Sequence, residues 1–362
     1  DYKIPIALSQ KLNPFIVSPA YTVFEVLDET KLCPEYLMMW CSRSEFDREA
    51  WFHTDADVRG GLPWDLFCDI ELPIPPIEKQ KAVIQEYNFI IDRININQSL
   101  KSKLEKTLSA LYKHWFIDFE FPNEKGQPYR SSGGEMVFNE KLKKDIPSDW
   151  ETPKLENFVK LSFTGDWGSE TLKGSYLEKV QCIRGADIEM FKSGDTSNSP
   201  TRFIQNANLK NKKVFKNNII IEISGGGPSQ STGRAVLVSA AHIQLVKDSI
   251  ICSNFCRVIK LKSELHSQFF YSHIDYLYNI GYLFTFENST TGVKNFDLTS
   301  FLEEEYLVNP PDSLLNNFNN TFNLLQKNIL ICRREINNLK KLKDVALTKL
   351  SKMHIFNLEK II

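Results

Sequence analysis

The most glycine-rich stretch of the chain has the residue types best suited to holding a ligand. Residues 224–234 read Ser-Gly-Gly-Gly-Pro-Ser-Gln-Ser-Thr-Gly-Arg. Nucleotide phosphates would need the lysine of a GxxxxGK[ST] motif, which this stretch lacks. The six histidines show neither an HExxH motif nor another paired metal-ligand spacing. The stretch therefore predicts close backbone contact with a ligand rather than nucleotide hydrolysis or metal catalysis.

Two other sequences resemble parts of a methyl-transfer site, and both fail on inspection. Asn309-Pro310-Pro311-Asp312 is similar to an NPPY/F motif, which needs an aromatic fourth residue to stack an extruded base. Asp312 suits a helix N-cap instead. Phe163-Thr164-Gly165-Asp166-Trp167-Gly168 misses the FxGxG pattern of a methyl-donor site and lies in a strand-and-turn region. We predict no catalytic residues, no metal and no cofactor bound by this chain.

The glycine-rich stretch lies between two apolar runs, 219–221 and 235–238, and therefore joins two predicted strands. Its glycines let backbone N–H groups approach a phosphate or a groove closely. Arg234 has the donors to bind guanine bidentately or to grip a phosphate backbone. An ordinary flexible hairpin tip is the alternative interpretation.

Other polar residues extend this candidate binding surface, although charge clusters are usually solvated faces. Residues 288–295 form a polar loop, and residues 53–61 form its counterpart in the first half. The predicted contact residues are Thr164, Trp167, Lys173, Arg184, Lys212, Lys213, Lys216, Gly226, Ser229, Gln230, Ser231, Thr232, Arg234, Thr290, Lys294 and Asn295, together with His53 and Arg59.

An internal repeat must position these loops. Pro75-Pro76 and Pro310-Pro311 each follow a strand-like run and precede a long helical pattern, and 310 − 75 = 235. The apolar seam of the second helix has its counterpart at the same offset in the first helix. The second seam is Leu325, Ile329, Cys332, Ile336, Leu339, Lys343, Ala346 and Leu350, and the first is Ile90, Ile94, Asn97, Lys101, Leu104, Leu108, Leu111 and Trp115.

Two helices with such seams are expected to pack against each other, because each alone would expose its apolar stripe to water. Antiparallel packing would send the two globular parts to opposite ends of a rod about 60 Å long, at 1.5 Å per residue. Asn97, Lys101 and Lys343 weaken the seam and either fix its register or face solvent. At the 235-residue offset, residues 146–235 of the second globular part have no counterpart in the first.

The composition fits a globular protein and does not point strongly to a partner. The 362 residues are 42% hydrophobic, with 44 basic and 45 acidic side chains and a net charge of −1. A nucleic-acid binder is usually basic, but local placement of Lys and Arg matters more than the sum. The seven cysteines form no CxxC pair, so buried free thiols are expected. With no signal peptide or long apolar run, we expect a cytoplasmic protein without a membrane partner.

The region around the first Pro-Pro pair resembles a known family. Leu72-Pro73-Ile74-Pro75-Pro76-Ile77-Glu78-Lys79-Gln80-Lys81, the seam helix and Trp115-Phe116-Ile117-Asp118-Phe119 resemble the central conserved region of type I restriction-modification specificity subunits. Ile146-Pro147-Ser148-Asp149-Trp150-Glu151 looks like the opening of their second target recognition domain. Residues 224–234 are similar to a loop in such domains. The second copy departs from the pattern, because no Gln follows Pro311 at the matching position.

The resemblance implies an α+β fold with two β-rich target recognition domains, each followed by a long helix, and an antiparallel coiled coil between the helices. The implied boundaries are 1–76 for the C-terminal part of recognition domain 1, 77–120 for the central spacer helix, 121–145 for a linker, 146–311 for recognition domain 2, 312–352 for the distal spacer helix, and 353–362 for a tail.

The family also implies the function and the partners. Each recognition domain would read one half of a split, asymmetric target in double-stranded DNA, and the spacer would set the gap. Methyltransferase subunits would use S-adenosylmethionine, and restriction subunits would use ATP and Mg²⁺, so none of those cofactors is expected on this chain. Three alternatives stay open: the recognition subunit of a two-subunit type II enzyme, a self-contained methyltransferase or nuclease, and a coiled-coil scaffold without a DNA function.

Overall fold

The computed structural model describes residues 4–9, 14–52, 54, 62–225, 230–290, 293–350 and 356–357. Its helices are α1 (Pro34–Cys41), α2 (Ser44–Phe52), α3 (Trp64–Cys68), α4 (Ile77–Tyr112), α5 (Ile188–Lys192), α6 (Asn206–Lys212), α7 (Ala240–Leu245), α8 (Ser267–Asn279), α9 (Leu298–Glu304) and α10 (Asp312–Leu350). Its strands are β1 (Glu71–Leu72), β2 (Met136–Asn139), β3 (Lys144–Pro147), β4 (Val159–Thr164), β5 (Tyr176–Ile183), β6 (Thr201–Gln205), β7 (Ile219–Glu222), β8 (Ser224–Gly225), β9 (Ala235–Leu237), β10 (Ser249–Cys252), β11 (Cys256–Leu261), β12 (Glu287–Thr290), β13 (Val293–Phe296) and β14 (Phe356–Asn357). Within these ranges, no helix is long and apolar enough to cross a membrane.

The chain divides into two compact units. The first contains residues 1–98 and 335–362, and the second contains residues 99–334. Helices α4 and α10 each contribute one part to each unit. The predicted combination of helices and sheets with two long, packed helices is confirmed.

In the first unit, three short helices surround a small aromatic core. Tyr36, Trp40, Phe46 and Phe67 are buried there, and Leu347 of α10 packs against the same cluster. Only β1 and its antiparallel partner β14 are strands among the described residues of this unit. At the 235-residue offset, β4 to β8 correspond to positions ahead of Asp1. The described part of this unit therefore matches the later, more helical half of the second globular part.

A buried glutamine explains the sequence signature at the start of α4. Gln80 is fully buried, and its Oε1 accepts a hydrogen bond from the backbone N–H of Cys33 at 2.9 Å. Its Nε2 donates to the carbonyl oxygens of Lys31 at 2.7 Å and Pro75 at 2.8 Å. The side chain thereby satisfies backbone groups that would otherwise be buried without partners. The equivalent position in the second copy is Leu315, which is buried in an apolar core and needs no such partners.

The helix seam is antiparallel within the first unit. Ile90 and Ile94 of α4 pack with Ile336 of α10, whereas Leu347 shares a cluster with residues 83–87, earlier in α4. Residues later in α4 therefore pack against residues earlier in α10, so the two helices run in opposite directions. Beside this seam, Arg93 Nε lies 2.7 Å from Glu335 Oε1.

The polar seam residues face inward to different degrees. Asn97 is buried, and its Nδ2 donates to the Arg93 carbonyl oxygen at 2.9 Å in the same helix. Lys101 Nζ lies 2.7 Å from Glu105 Oε1, so its charge is paired within α4. Lys343 is partly exposed, and its Nζ lies 3.9 Å from Asp344 Oδ1.

In the second unit, the ends of both long helices join one aromatic cluster. The Tyr112 ring lies 5.9 Å from Phe269 and 6.4 Å from Phe318, and Trp115 lies 6.0 Å from Phe318. Tyr112 and His273 are buried together, with 2.8 Å between Tyr112 Oη and His273 Nδ1. The end of α4 and the start of α10 are therefore anchored in the core of the second unit.

The repeat inferred from the sequence is visible in the order of the elements. Helix α4 begins at Ile77 and α10 at Asp312, and 312 − 77 = 235. At this offset α1 falls within α8, and an offset three residues shorter, 232, makes α3 overlap α9. Both copies therefore run through a helix, a shorter helix, a Pro-Pro pair and a long helix.

The remainder of the second unit consists of small sheets. One has the strand order β4-β11-β7-β9 with antiparallel neighbours, and another has the order β10-β5-β6, in which β10 and β5 are parallel. A third, β12-β13-β8, joins the glycine-rich stretch to residues 287–296. The β-rich character predicted for the second globular part is present.

Residues 121–145, expected as a linker, form structure that belongs to the second unit. They contain β2 and the start of β3, which pair as an antiparallel hairpin. The Phe121 ring stacks on Tyr129 at 4.6 Å and on Trp150 at 5.1 Å. Aromatic packing of this kind ties the segment to the unit's core. Of the predicted tail, residues 353–355 and 358–362 lie outside the described residues.

Candidate nucleic-acid interface

Several predicted contact residues converge on one end of the four-stranded sheet. In the register of that sheet, Thr164 of β4 lies opposite Arg257 of β11, and Cys256 lies opposite Glu222 of β7. Strands β4 and β7 therefore end where β9 and β11 begin. The loops attached to these four strand ends must lie along the same edge, which we call the loop edge.

The parallel strands of the neighbouring sheet end at the same place. Ile183 of β5 is in register with Cys252 of β10, and the N–H of Ser253 donates to the Ile183 carbonyl oxygen at 2.9 Å. The turn that follows β10 leads directly into β11. The loop edge therefore also includes Arg184, which follows β5, and the turn at residues 253–255.

A buried ion pair closes the base of the glycine-rich stretch. Arg234 Nε donates to Glu222 Oε2 at 2.9 Å, and its Nη2 donates to Glu222 Oε1 at 2.7 Å. Only 8% of Arg234 and 1% of Glu222 are exposed. The hydrogen bonds that it donates to Glu222 raise the pKa of Arg234. Because its Nε and Nη2 are paired with Glu222 and its side chain is buried, Arg234 is better suited to positioning the loop than to reading a base.

Two glycines leave room for this carboxylate. Gly225 has a φ of +144°, and a Cβ there would lie 2.7 Å from Glu222 Oε1. A Cβ on Gly185 would also collide with the Glu222 carboxyl group. Glycine is required at these positions because the backbone passes close to a fixed charged side chain.

A second carboxylate joins the glycine-rich stretch to the polar loop at 288–295. Thr232 is fully buried, and its Oγ1 donates to Glu287 Oε1 at 3.0 Å. Lys294 Nζ lies 3.7 Å from Glu287 Oε2 and donates to the Gln230 carbonyl oxygen at 3.2 Å. Strand pairing adds to this link, because β8 residues 224–225 lie opposite β13 residues 294–295. The two loops thus form one surface, although Gln230 and Lys294 are 64 residues apart in the sequence.

Thr164, Trp167 and Lys212 lie around the start of the loop after β4. Trp167 is more than one-third exposed and stacks under the Arg202 guanidinium, 3.9 Å from the ring centroid. Lys212 Nζ donates to the Gly165 carbonyl oxygen at 2.7 Å. Thr164 ends β4 with an exposed side chain.

Arg184 is held against its own turn. Its guanidinium makes two hydrogen bonds of 2.8 Å to the Asp187 carboxylate, and its Nη2 also donates to the Asn198 carbonyl oxygen at 2.8 Å. These bonds to Asp187 raise the pKa of Arg184. The side chain remains partly exposed at the loop edge.

Other predicted residues lie elsewhere or are only partly described. Lys173 precedes β5, and Lys216 precedes β7, so both lie beyond the strand ends opposite the loop edge. Lys213 Nζ lies 5.6 Å from the Phe215 ring centroid, near the same far end. Gly226, Ser229, His53 and Arg59 lie outside the described residues, and of Thr290 only the backbone position in β12 is described.

Of the remaining predicted residues, Gln230, Ser231 and Asn295 do reach the loop edge. Gln230 is exposed, and the Ser231 carbonyl oxygen accepts a hydrogen bond from Tyr278 Oη at 3.4 Å. Asn295 is half-buried on β13, opposite Ser224. Together with Lys294 they line the surface formed by the two joined loops.

The structure adds two exposed aromatic residues that the sequence analysis missed. Phe255 is 56% exposed, and its carbonyl oxygen accepts hydrogen bonds from the backbone N–H groups of Ile223 at 2.9 Å and Ser224 at 3.2 Å. Phe284 is also largely exposed, and its ring centroid lies 5.7 Å from Lys294 Nζ. The available signal was an aromatic residue in the Ser253-Asn254-Phe255 turn, where a polar residue is more usual.

This arrangement is suited to binding. Exposed rings, side-chain amides and backbone groups at one edge can contact bases and phosphates. Among the described residues, no group of three His, Cys, Asp or Glu side chains is placed to hold a metal. Burial lowers the pKa of His242 to about 4 and that of His273 to about 3, so both rings are neutral core residues. Cys252 and Cys256 are buried, and burial raises their pKa values.

Comparisons with known proteins find specificity subunits of type I restriction enzymes. The chain is 26% identical over 310 residues to the type I restriction enzyme MjaIX specificity subunit of Methanocaldococcus jannaschii, covering 81% of this chain and 64% of that protein. It is 28% identical over 120 residues to the type I restriction enzyme HindI specificity subunit of Haemophilus influenzae, covering 32% of this chain and 26% of that protein. The chain thus spans less than two-thirds of the length of either curated relative. No protein-family model matches it.

A solved structure shares the fold. The type I restriction-modification S subunit from M. genitalium superposes with a TM-score of 0.52 at 16% identity, covering 90% of this chain and 74% of that one. At this identity the similarity concerns the fold alone. It includes the two long, packed helices.

Proposed function

We propose that this chain recognises the DNA sequence for a type I restriction-modification complex. Its relatives confirm the predicted resemblance to the specificity subunits of such complexes. Its second unit would read one half of a split, asymmetric target with the loop edge. The observation that carries this proposal is the meeting of residues 224–225 and 230–232 with residues 294–295 at one end of a sheet, tied by Glu287 and Lys294. A rigid scaffold with joined polar loops at one edge is a common design for recognition sites.

Some residues of the loop edge would contact DNA bases, and others would position the loops. Gln230 and Asn295 can exchange hydrogen bonds with base edges, and Phe255 can contact a base or a sugar. Arg234 pairs with Glu222 and thereby holds the two ends of the loop together. The net charge of −1 leaves part of the phosphate neutralisation to other subunits of the complex.

The chain would contribute no chemistry of its own to methylation or cleavage. Methyl transfer from S-adenosylmethionine, and ATP- and Mg²⁺-dependent restriction, would be carried out by methyltransferase and restriction subunits. The absence of an aromatic residue at position 312 supports this division, because an NPPY/F site needs it to stack the base.

Exposed apolar residues on the long helices support docking of helical partners. Phe89 and Ile96 on α4 are exposed, and so are Leu324 and Ile331 on α10. Each lies one position before a seam residue, and 324 − 89 and 331 − 96 both equal 235. Two equivalent apolar stripes predict two equivalent docking surfaces, one for each of two methyltransferase subunits.

The function is tested with the purified chain and the methyltransferase subunit of the same system. We expect the pair to shift one DNA sequence selectively and to methylate it, while the chain alone transfers no methyl group. Methyl transfer by the chain alone would indicate a self-contained enzyme. Equal binding to all sequences would indicate a scaffold instead.

The docking surfaces are tested by stoichiometry. Replacing Phe89 and Ile96 by Ser should reduce the bound methyltransferase subunits from two per chain to one, measured by light scattering. Leu172→Ser changes an exposed apolar residue that precedes β5 and belongs to neither long helix, so this matched control should leave two subunits bound. Two subunits bound to the Phe89/Ile96 variant would contradict this part of the proposal.

A further inference from the structure

A cavity in the second unit lies where α10 meets α7, α8 and β9. Its volume is about 410 Å³, within the range of about 300–1,000 Å³ that is typical of ligand pockets. Leu237 and Ser239 line it from the sheet side, and Asn323, Gln326 and Leu330 line it from α10. All the lining residues belong to the second unit.

Hydrogen bonds across the cavity hold its walls in place. Gln326 Nε2 donates to the Lys192 carbonyl oxygen at 3.3 Å, which ties α10 to the end of α5. Gln268 Nε2 donates to Asn323 Oδ1 at 3.3 Å, which ties α8 to α10. The cavity is therefore formed before any ligand enters, and little ordering is needed on binding.

The floor of the cavity is apolar. Val236 and Leu237 contribute from β9, Tyr271 from α8, and Phe322 from α10, and all four are buried. Covering such a floor with a hydrocarbon group removes apolar surface from water. The floor therefore selects a ligand with an apolar body.

The charged lining of the cavity is entirely basic. Lys192, Lys216 and Lys327 line it, whereas no Asp or Glu does. Lys192 Nζ is already paired with Asp275 Oδ1 at 2.5 Å. Lys216 and Lys327 are exposed and have no ion pair within the described part of the chain. Two available ammonium groups beside an apolar floor favour an anionic group attached to an apolar body.

The cavity is separate from the loop edge and belongs to one repeat only. Asn217, which lines it, precedes β7, whereas Glu222 at the loop edge ends that strand. In the first repeat the position equivalent to Lys327 is Asp92, which has the opposite charge. A site that recognises an anion is therefore specific to the second copy of the repeat.

We propose that this cavity binds a carboxylate group joined to an apolar body. The apolar part covers Val236 and Phe322, and the carboxylate accepts hydrogen bonds from Lys216 and Lys327. The ligand is either a small organic acid or an acidic residue beside an aromatic one in a partner polypeptide. Both sources present the same chemistry to the cavity.

The test uses the full chain with labelled valine and leucine methyl groups, observed by NMR. Hydrocinnamate is the probe, and hydrocinnamyl alcohol is its uncharged match. We expect saturable shifts of the Val236 and Leu237 methyl signals with the acid, and at least about tenfold weaker binding of the alcohol. Lys216→Gln and Lys327→Gln should each weaken acid binding by about tenfold, whereas Lys213→Gln, outside the cavity, should not.

Two further measurements identify the source of the ligand and test whether the cavity takes part in DNA binding. Tighter binding of acetyl-Phe-Glu-amide than of hydrocinnamate assigns the site to a partner polypeptide, and the reverse assigns it to a free acid. DNA affinity should be unchanged in Lys327→Gln. Equal binding of acid and alcohol, no saturable shift at the two methyl positions, or insensitivity to both lysine changes overturns the proposal.

Discussion

Glu222 and Arg234 form a two-point ion pair, 2.9 and 2.7 Å long, that joins the two ends of the glycine-rich stretch. The backbone N–H of Glu222 also donates to the Arg234 carbonyl oxygen at 2.9 Å. Both side chains are buried, so the loop begins and ends at a fixed point. The ion pair and the backbone hydrogen bond therefore fix where the chain enters and leaves the glycine-rich stretch.

Removing the carboxylate charge from this pair should be costly. Glu222→Gln leaves a buried guanidinium without its counter-charge, and breaking such a pair costs about 3–5 kcal/mol. We expect urea denaturation to show a loss of this order in the free energy of unfolding. The matched control is Asp248→Asn, which breaks the more exposed pair with Lys179 at 3.2 Å and should cost at most about 1 kcal/mol. Equal losses in the two variants would show that the buried pair has no special role.

The exposed ring of Phe255 should contribute to DNA binding. Burying a phenylalanine side chain against a base or a sugar contributes about 1.5–3 kcal/mol, so Phe255→Ala should weaken cognate binding by about that amount. Fluorescence anisotropy with the methyltransferase partner present measures this affinity. Phe215→Ala is the control, because Phe215 is similarly exposed but lies just before β7, at the far end of the sheet. Comparable losses from both phenylalanines would remove the loop edge as the binding surface.

Acid should destabilise the second unit through its buried histidines. Burial lowers the pKa of His273 to about 3 and that of His242 to about 4, whereas an unfolded histidine titrates near 6.5. Below pH 6.5 the unfolded chain therefore binds protons that the folded chain does not. The free energy of unfolding should fall as the pH decreases from about 6.5 towards about 4.

Asparagine variants test this source of pH dependence. Both rings use Nδ1 as their hydrogen-bonding atom, His273 towards Tyr112 and His242 towards Ser239. An asparagine oxygen can take a similar position, so His242→Asn with His273→Asn should flatten the slope without removing the contact. His114→Asn, an exposed histidine, should leave the slope unchanged. An unaltered slope in the double variant would assign acid sensitivity to other groups.

The long helices should set the gap between half-sites. One added heptad lengthens a helix by about 10 Å, which corresponds to about three base pairs at 3.4 Å each. We expect insertion of seven residues into both α4 and α10, with the seam register kept, to lengthen the gap in the methylated motif by about three base pairs. Sequencing of modified DNA measures the gap. An unchanged gap would rule out the helices as its determinant.

The features visible in the sequence were those with short-range or periodic signals. The Pro-Pro pairs and heptads predicted two helices at an offset of 235, and α4 and α10 begin at that offset. The meeting of residues 230 and 294 was not predictable, because it depends on the pairing of β8 with β13, two strands far apart in the chain. The sequence predicts that Arg234 binds guanine or a phosphate, but it does not show the buried pairing with Glu222, twelve residues earlier.

Methylation in cells tests the central claim most directly. A host expressing this chain with its methyltransferase partner should carry N6-methyladenine in one split, asymmetric motif, read by long-read sequencing. The motif should vanish without the chain, and Asn295→Ala together with Gln230→Ala should relax one half of it while leaving the other half unchanged. The same methylation pattern with and without the chain would contradict its role in DNA recognition.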